Sequence, residues 1–284
     1  MIDYLDRQGK KRSERLWKQA FPEDSDSFDQ YYFAEKMKDN RVLALTEEGE
    51  ILSMAHLNPY QVRMGSEVRR VDYIVGVATD QDRRHRGYMR RVLTRMMQDM
   101  YGEGMPFCFL MPADERIYLP FDFTYIFDQP EFRLKDAGGL KEVPVRESGV
   151  SLEALGDWMN RWLEERFEVF CIRDRAYVEL LLKELASEDG TLTLLYHEGR
   201  LAGVRGEWGI GKKEQRLLYC EDGFAETEDS PKPAIMARII CLEQFIRTIR
   251  LADDSGEEFT IDNTKTVLYG LCADCDAKNQ GEPK

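Results

Sequence analysis

The period of the apolar positions changes several times along the first hundred residues, and each change predicts an element. Leu16, Trp17 and Ala20 mark one face of a helix near Lys11–Ala20, and a second helix is expected near Phe28–Lys38. The pattern then becomes strand-like. Arg41-Val-Leu-Ala-Leu45, a turn at Glu47-Glu-Gly-Glu50 and Ile51–Leu57 predict a hairpin, with further strands near Gln61–Met64 and Glu67–Val77. Helical spacing returns in Tyr88–Tyr101. There Met89, Val92, Leu93, Met96, Met97 and Met100 share a face, while Arg90, Arg91, Arg95, Gln98 and Asp99 point away. The all-apolar run Phe107–Met111 fits a strand buried on both sides. Helix, helix, hairpin, strand, helix, strand is the order of an α/β (α+β) fold, a mixed sheet with helices on both faces.

A partial internal repeat follows. Thr191–Tyr196, a turn at His197-Glu-Gly-Arg200 and Leu201–Trp208 echo the hairpin at Arg41–Leu57, and the helix expected over Arg175–Ala186 precedes them. Trp158 and Trp162, one helical turn apart, read as core. Two such hairpins also arise by chance, so the repeat is one of two readings. The second copy has no basic glycine loop, and so no expected nucleotide site. Ser230-Pro-Lys-Pro233 reads as a linker. Beyond it, Ala234–Ile249 predicts an amphipathic helix, Phe259–Asp262 and Thr266–Tyr269 short strands, and Asp276–Lys284 a frayed polar end. The expected organisation is residues 1–135, 136–231 and 232–284, the last a short α+β segment.

Composition narrows the function classes. The 284 residues are 43% hydrophobic and 33% charged, with a formal net charge of −13. That balance supports a real core, argues against nucleic-acid binding and is compatible with a cationic substrate. Neither a signal peptide nor a membrane span is expected, which predicts a cytoplasmic protein with no membrane partner. Cys272-Ala-Asp-Cys275 is a lone CxxC without a second ligand pair, so no metal is expected.

The richest chemistry lies between the strand ending near Val77 and the helix starting at Tyr88. Backbone N–H groups at a helix start lack intrahelical partners, and the helix dipole there favours negative charge. Arg83, Arg84 and Arg86 add charge, and Gly87 permits close backbone approach. The plainer alternative is a solvated basic turn.

This arrangement, with Arg84-x-x-Gly87-x-Met89, resembles the coenzyme A pyrophosphate loop of the GNAT acetyltransferases. Met111–Phe123, with Ile117-Tyr118 followed by Phe121-Asp-Phe123, resembles the corresponding stretch of the Eis-type (enhanced intracellular survival) branch. Ile235–Phe245 looks like the helix opening that branch's sterol-carrier-like domain. The resemblance implies tandem GNAT folds, with residues 232–284 a shortened third domain. It implies acetyl-CoA as co-substrate, held by N–H groups near Arg84, His85, Arg86 and Gly87 and by strand groups at Val77 and Thr79. It makes Tyr118 the general acid, against the plain reading of a half-buried aromatic beside Phe121 and Phe123. In that branch an apolar terminal residue supplies its carboxylate as base, whereas this chain ends Gly281-Glu-Pro-Lys284. Members often oligomerise, so a homo-oligomer is expected.

Candidate acceptor-binding residues are His56, Asp72, Asp114 and Glu115. A lone His is more often structural, and no base stands out among them. The leading expectation is acetyl transfer from acetyl-CoA to a primary amine of a small cationic acceptor. The alternative is a non-catalytic scaffold that binds CoA or a hydrophobic ligand.

Overall fold

A computed structural model describes residues 1–135, 139–227, 231–248, 259–261 and 270–272. The chain opens with β1 (Ile2–Tyr4), α1 (Arg7–Arg12), α2 (Glu14–Ala20) and α3 (Asp26–Ala34). The single helix expected near Lys11–Ala20 is thus two, meeting at Ser13, whose hydroxyl donates to the Lys10 carbonyl. A Ser or Asp bonded back into its own turn offers the backbone an alternative to a continuous helix. Next come β2 (Arg41–Glu47), β3 (Glu50–Met64), β4 (Glu67–Thr79), α4 (Tyr88–Gly102) and β5 (Phe107–Leu110).

β3 is one strand where the sequence suggests two separated by Pro59. β2 pairs with β3 only as far as Leu57, so the flank of Pro59 on that side has no strand to donate to. A proline is tolerated in a sheet where its missing N–H faces no partner.

β6 (Thr124–Gln129) and β7 (Phe132–Leu134) lead into the second lobe. Its elements are β8 (Leu140–Pro144), α5 (Val145–Ser148), α6 (Leu152–Glu164), β9 (Val169–Cys171), α7 (Arg175–Ser187), β10 (Thr191–His197), β11 (Arg200–Trp208), β12 (Glu214–Cys220) and β13 (Ala225–Thr227). Its sheet, β12-β11-β10-β8, repeats the antiparallel order β4-β3-β2-β1 of the first lobe. Asp174 and Ser151 cap α7 and α6, accepting from Tyr177 and Ala154.

The chain then returns. Residues 232–239 form β14 (Lys232–Ile239), which lies between β5 and β6 in the main sheet, and α8 (Leu242–Thr248) follows. The amphipathic helix expected over Ala234–Ile249 is therefore a strand for its first half. Met236 and Ala237 are buried between two neighbouring strands, and this non-local pairing overrides local helix propensity. β15 (Phe259–Ile261) and β16 (Gly270–Cys272) pair with each other. The expected strand Thr266–Tyr269, the complete CxxC and the tail Asp276–Lys284 lie outside the described residues.

The main sheet buries both faces, as alternation in β2 dictates. Leu43 and Leu45 pack with Val92, Leu93, Met96 and Met100 of α4. Val42 and Ala44 pack with Leu16, Trp17, Tyr31 and Tyr32 on the other side. The lobes meet on that second face. Ser25 donates to Glu188, the Tyr31 hydroxyl donates to Glu184 (3.2 Å), and the Phe28 ring sits edge-on to Trp208 (6.2 Å). β9 also joins the main sheet, with Cys171 opposite Val62 of β3. No helix among the described residues is long and apolar enough to cross a membrane.

Candidate active site

Two strands part company at the centre of the main sheet. β4 and β5 are parallel and register only at Tyr73 opposite Phe109, although β4 runs on to Thr79. Just beyond that point β4 carries a bulge, where Gly76 and Val77 together oppose Ala55 of β3. Gly76 has φ +59°, and a Cβ there would stand 2.5 Å from the Trp17 ring. Glycine is required on both counts. The edge of β4 from Ile74 to Thr79 thus faces an opening instead of a partner strand. An extended ligand can add to such an edge through backbone hydrogen bonds.

The opened edge ends at the basic loop. After Thr79 a single 3-10 turn, Gln81–Arg83, leads to His85 (φ +61°) and Gly87 (φ +75°), both left-handed, and Gly87 caps α4. Successive turns of this kind aim N–H groups into one concavity. The N–H groups of His85, Arg86 and Gly87 have no protein partner among the described residues. Those of Tyr88, Met89 and Arg90 are the unpaired donors of the first helical turn. A Cβ on Gly87 would point into open space. Arg15 engages Asp80 (3.2 Å), while Arg83, Arg84 and Arg86 have no carboxylate partner among the described residues. Arg84 Nε donates to the Thr79 carbonyl (3.4 Å), tying the loop to the strand end. The expected cofactor-binding residues Val77, Thr79, Arg84, His85, Arg86 and Gly87 are thus contiguous along one edge, and its donors suit a diphosphate on a flexible arm.

Tyr118 lies between two 3-10 turns, Glu115–Ile117 and Leu119–Phe121, with its ring edge-on to Phe123 (5.8 Å). Burial pushes its phenol up to about 12, and the Tyr73 phenol adds to the shift. Tyr73 stands at the fork itself, where it registers opposite Phe109 and its phenol lies near the Met111 backbone. Tyr118, Tyr73 and the start of the β4 opening therefore share one neighbourhood.

The other expected residues are elsewhere. His56 is fully buried against Trp17 (5.2 Å) with its Nδ1 bonded to the Tyr32 hydroxyl (3.1 Å), and burial drives its pKa down to about 3. A neutral core imidazole with no solvent path does not face an acceptor. Asp72 points to the α4 side, fully buried and ion-paired with Arg41 (2.7 Å). Asp114 is chelated by Arg116 Nε (2.9 Å) and Nη2 (2.7 Å), and Glu115 is exposed.

Sequence reasoning missed a constellation on the face where the lobes meet, beside Tyr73. Lys36 Nζ donates to the Tyr60 hydroxyl (3.1 Å), and Tyr60, Tyr73 and Phe109 form an aromatic cluster with centroids 5.2–6.1 Å apart. Arg173 closes the group from the second lobe. The residues come from β3, β4, β5, the 3-10 turn Lys36–Lys38 and one loop, so no local period connects them.

Comparison with known proteins fits this geometry. Residues 2–126 match the family model described as Acetyltransferase (GNAT) domain. No curated protein matches the chain. Among solved structures, a conserved Enterococcus faecalis protein described as a "Probable N-Acyltransferase" superposes with TM-score 0.71 at 16% identity, over 87% of this chain and 74% of its own. A GCN5-related N-acetyltransferase from Kribbella flavida gives 0.61 at 14% identity over 91% and 76%. Eis1 from Mycobacterium abscessus gives 0.61 at 13% over 92% and 77%. At such identities the likeness is one of fold, and it extends through both lobes. Residues 2–126 are a GNAT acetyltransferase domain, and the chain that carries it is an acyltransferase.

Proposed function

We propose that this protein transfers the acetyl group of acetyl-CoA to a primary amine of a small acceptor. The observation that carries the reading is the continuous path from the β4–β5 fork to the basic loop. Pantetheine adds to the free edge between Ile74 and Thr79, and the diphosphate rests on the N–H groups of residues 85–90. The thioester then lies at the fork, next to Tyr73 and Tyr118. The free amine attacks the thioester carbon, the C–S bond breaks, and the acetyl group is left on nitrogen. Counted from the ammonium form, the products are the N-acetyl amine, CoA thiol and one proton. Tyr118 hydrogen-bonds the sulfur as charge develops on it. The wider net charge of −13 supports attraction of cationic amines at long range only.

The test has two parts. Calorimetry with CoA should give one site per chain, lost in Gly87→Val while the variant stays folded. Thiol release from acetyl-CoA across an amine panel should show turnover. Unchanged CoA affinity in folded Gly87→Val would sink the site. A stoichiometric CoA complex that acetylates no amine would favour a scaffold.

A further inference from the structure

Where the lobes meet beside Tyr73, two half-buried cations, Lys36 and Arg173, have no ion-pair partner among the described residues. Antiparallel pairing of β9 with β3 sets Cys171 opposite Val62 and ties the Ile172 N–H to the Gln61 carbonyl (2.8 Å). Continuing that register brings Arg173 across from Tyr60, in the gap beside Pro59 where β3 has a neighbour on one side only. The Arg173 backbone is clamped by Asn160, whose Oδ1 accepts from its N–H (2.8 Å) and whose Nδ2 donates to its carbonyl (3.1 Å). A Cβ on Gly156 would collide with that carbonyl, so α6 approaches closely at this point. The position of Arg173 is built, not incidental.

Its guanidinium lies over the Tyr177 ring (4.2 Å) and Nη2 donates to the Tyr219 hydroxyl (3.2 Å), while Nε is buried without a hydrogen-bond partner. Lys36 sits over the Tyr60 ring (4.8 Å) and bonds its hydroxyl. Neither cation has a carboxylate within ion-pair distance among the described residues. Other shielded arginines do: Arg41 has Asp72, Arg166 has Asp222, Arg205 has Glu142 and Arg238 has Asp122. Of the acids near Lys36, Glu184 is already engaged by Arg216 (3.7 Å) and by the Tyr31 hydroxyl (3.2 Å), and Asp39 is exposed. Half-burying two charges without a counter-ion is costly unless something else supplies one. The faces of Tyr60 and Tyr177 already hold these cations, which works against a cationic guest on them.

We propose that this site receives an anionic group of the acceptor, a carboxylate, on Lys36 and Arg173, so that the acceptor is a small aminocarboxylate and not a polyamine. The proposal rests on the acetyltransferase reading above, since it is the nearby fork at Tyr73 that makes it an acceptor site. Burial holds the Lys36 ammonium below its ordinary pKa against the opposing pull of Glu184 and Asp39, and a carboxylate arriving within ion-pair distance would raise it further. Tyr60, Tyr73 and Phe109 leave an apolar wall for the carbon skeleton between carboxylate and amine.

Amines tested in pairs that differ only by the carboxylate separate the alternatives: lysine against 1,5-diaminopentane, tyrosine against tyramine, β-alanine against ethylamine. Thiol release from acetyl-CoA should favour the carboxylate-bearing member of the productive pair by about 10²-fold or more in kcat/KM. Arg173→Gln and Lys36→Met should raise its KM by about 10-fold or more and erase the preference. Arg173→Lys should recover part of it, and calorimetric CoA affinity should not change. As a readout independent of turnover, the CoA-loaded protein should bind N-acetylated amino acids more tightly than their C-terminal amides, and Arg173→Gln should abolish the difference. Equal or better use of the decarboxylated amines overturns the proposal, as does failure of every carboxylate probe to bind the folded, CoA-loaded protein. Absence of CoA binding itself would instead overturn the acetyltransferase reading.

Discussion

Tyr118 is buried enough that its phenol is raised to about 12, first by desolvation and then by Tyr73. A free thiol titrates near ~8.5, so complete proton transfer from this phenol to a thiolate runs uphill. The useful contribution is a hydrogen bond that strengthens as the C–S bond breaks. Tyr118→Phe should therefore lower kcat by roughly 10²-fold, within the range for a positioned acid, and leave CoA affinity nearly intact. The neutral phenol is the donor and its pKa is raised, so ionisation of Tyr118 should not limit the rate below about pH 10. An alkaline limb near pH 8.5 that disappears in Tyr118→Phe would contradict this assignment. His56 is the reverse case, a group whose charged form is excluded. Its folded pKa is depressed to about 3 against an unfolded value of ~6.5. The unfolded chain binds a proton that the folded chain refuses, so His56 leaves stability untouched above about pH 6.5. As pH falls from there towards 3 it costs up to about 1.4 kcal/mol per unit. Melting temperature should drop less steeply between pH 7 and 4.5 in His56→Gln than in the parent, and parallel slopes would argue that His56 is not the neutral core group described here.

The elements that hold the site were legible to different degrees. The basic loop and α4 could be read because their signals are local: a run of arginines, a glycine, then six apolar side chains at helical spacing. The bulge at Gly76 could not, because a glycine within an apolar run says nothing of a register shift until the partner strand is known. The path of β3 through Pro59 and the conversion of 232–239 into a strand were hidden for the same reason, both being decided by neighbours distant in sequence. The cations where the lobes meet were hidden more deeply, since Arg173 comes opposite Tyr60, the partner of Lys36, only after β9 joins β3. Two glycines separate the element's shape from its chemistry. Gly76→Ala adds a side chain at positive φ and drives it into Trp17, so it should cost about 2–4 kcal/mol, summing backbone strain and overpacking, and should weaken CoA binding with it. Gly87→Val carries backbone strain too, at φ +75°, but its Cβ meets no protein atom, so it should lose CoA with a smaller drop in melting temperature. Equal thermal effects in the two variants would mean that the bulge is not held by Trp17 as described.

At the scale of the whole molecule, the second lobe is not an appendage. The chain leaves the main sheet after β6, builds the second lobe, and returns to place β14 between β5 and β6. Met236 and Ala237 then lie opposite Leu110 and Phe109, beside the fork, so the strand that begins the opening is braced by residues far along the chain. Without β14, both β5 and β6 would present unpaired edges, and Met236 would leave a void against Leu110 and Phe121 in the α4 core. β9 adds a second tie by pairing with β3. The lobes should therefore unfold together, in one transition by circular dichroism and by tryptophan fluorescence alike. Ala237→Pro puts a residue without an N–H into a strand paired on both sides, where proline is found essentially only at edges or bulges. It should lower the melting temperature of the entire protein and weaken CoA binding, although residue 237 touches neither the loop nor Tyr118. Two separated transitions in the parent protein, with only the later one moved by Ala237→Pro, would show that β14 does not couple the lobes.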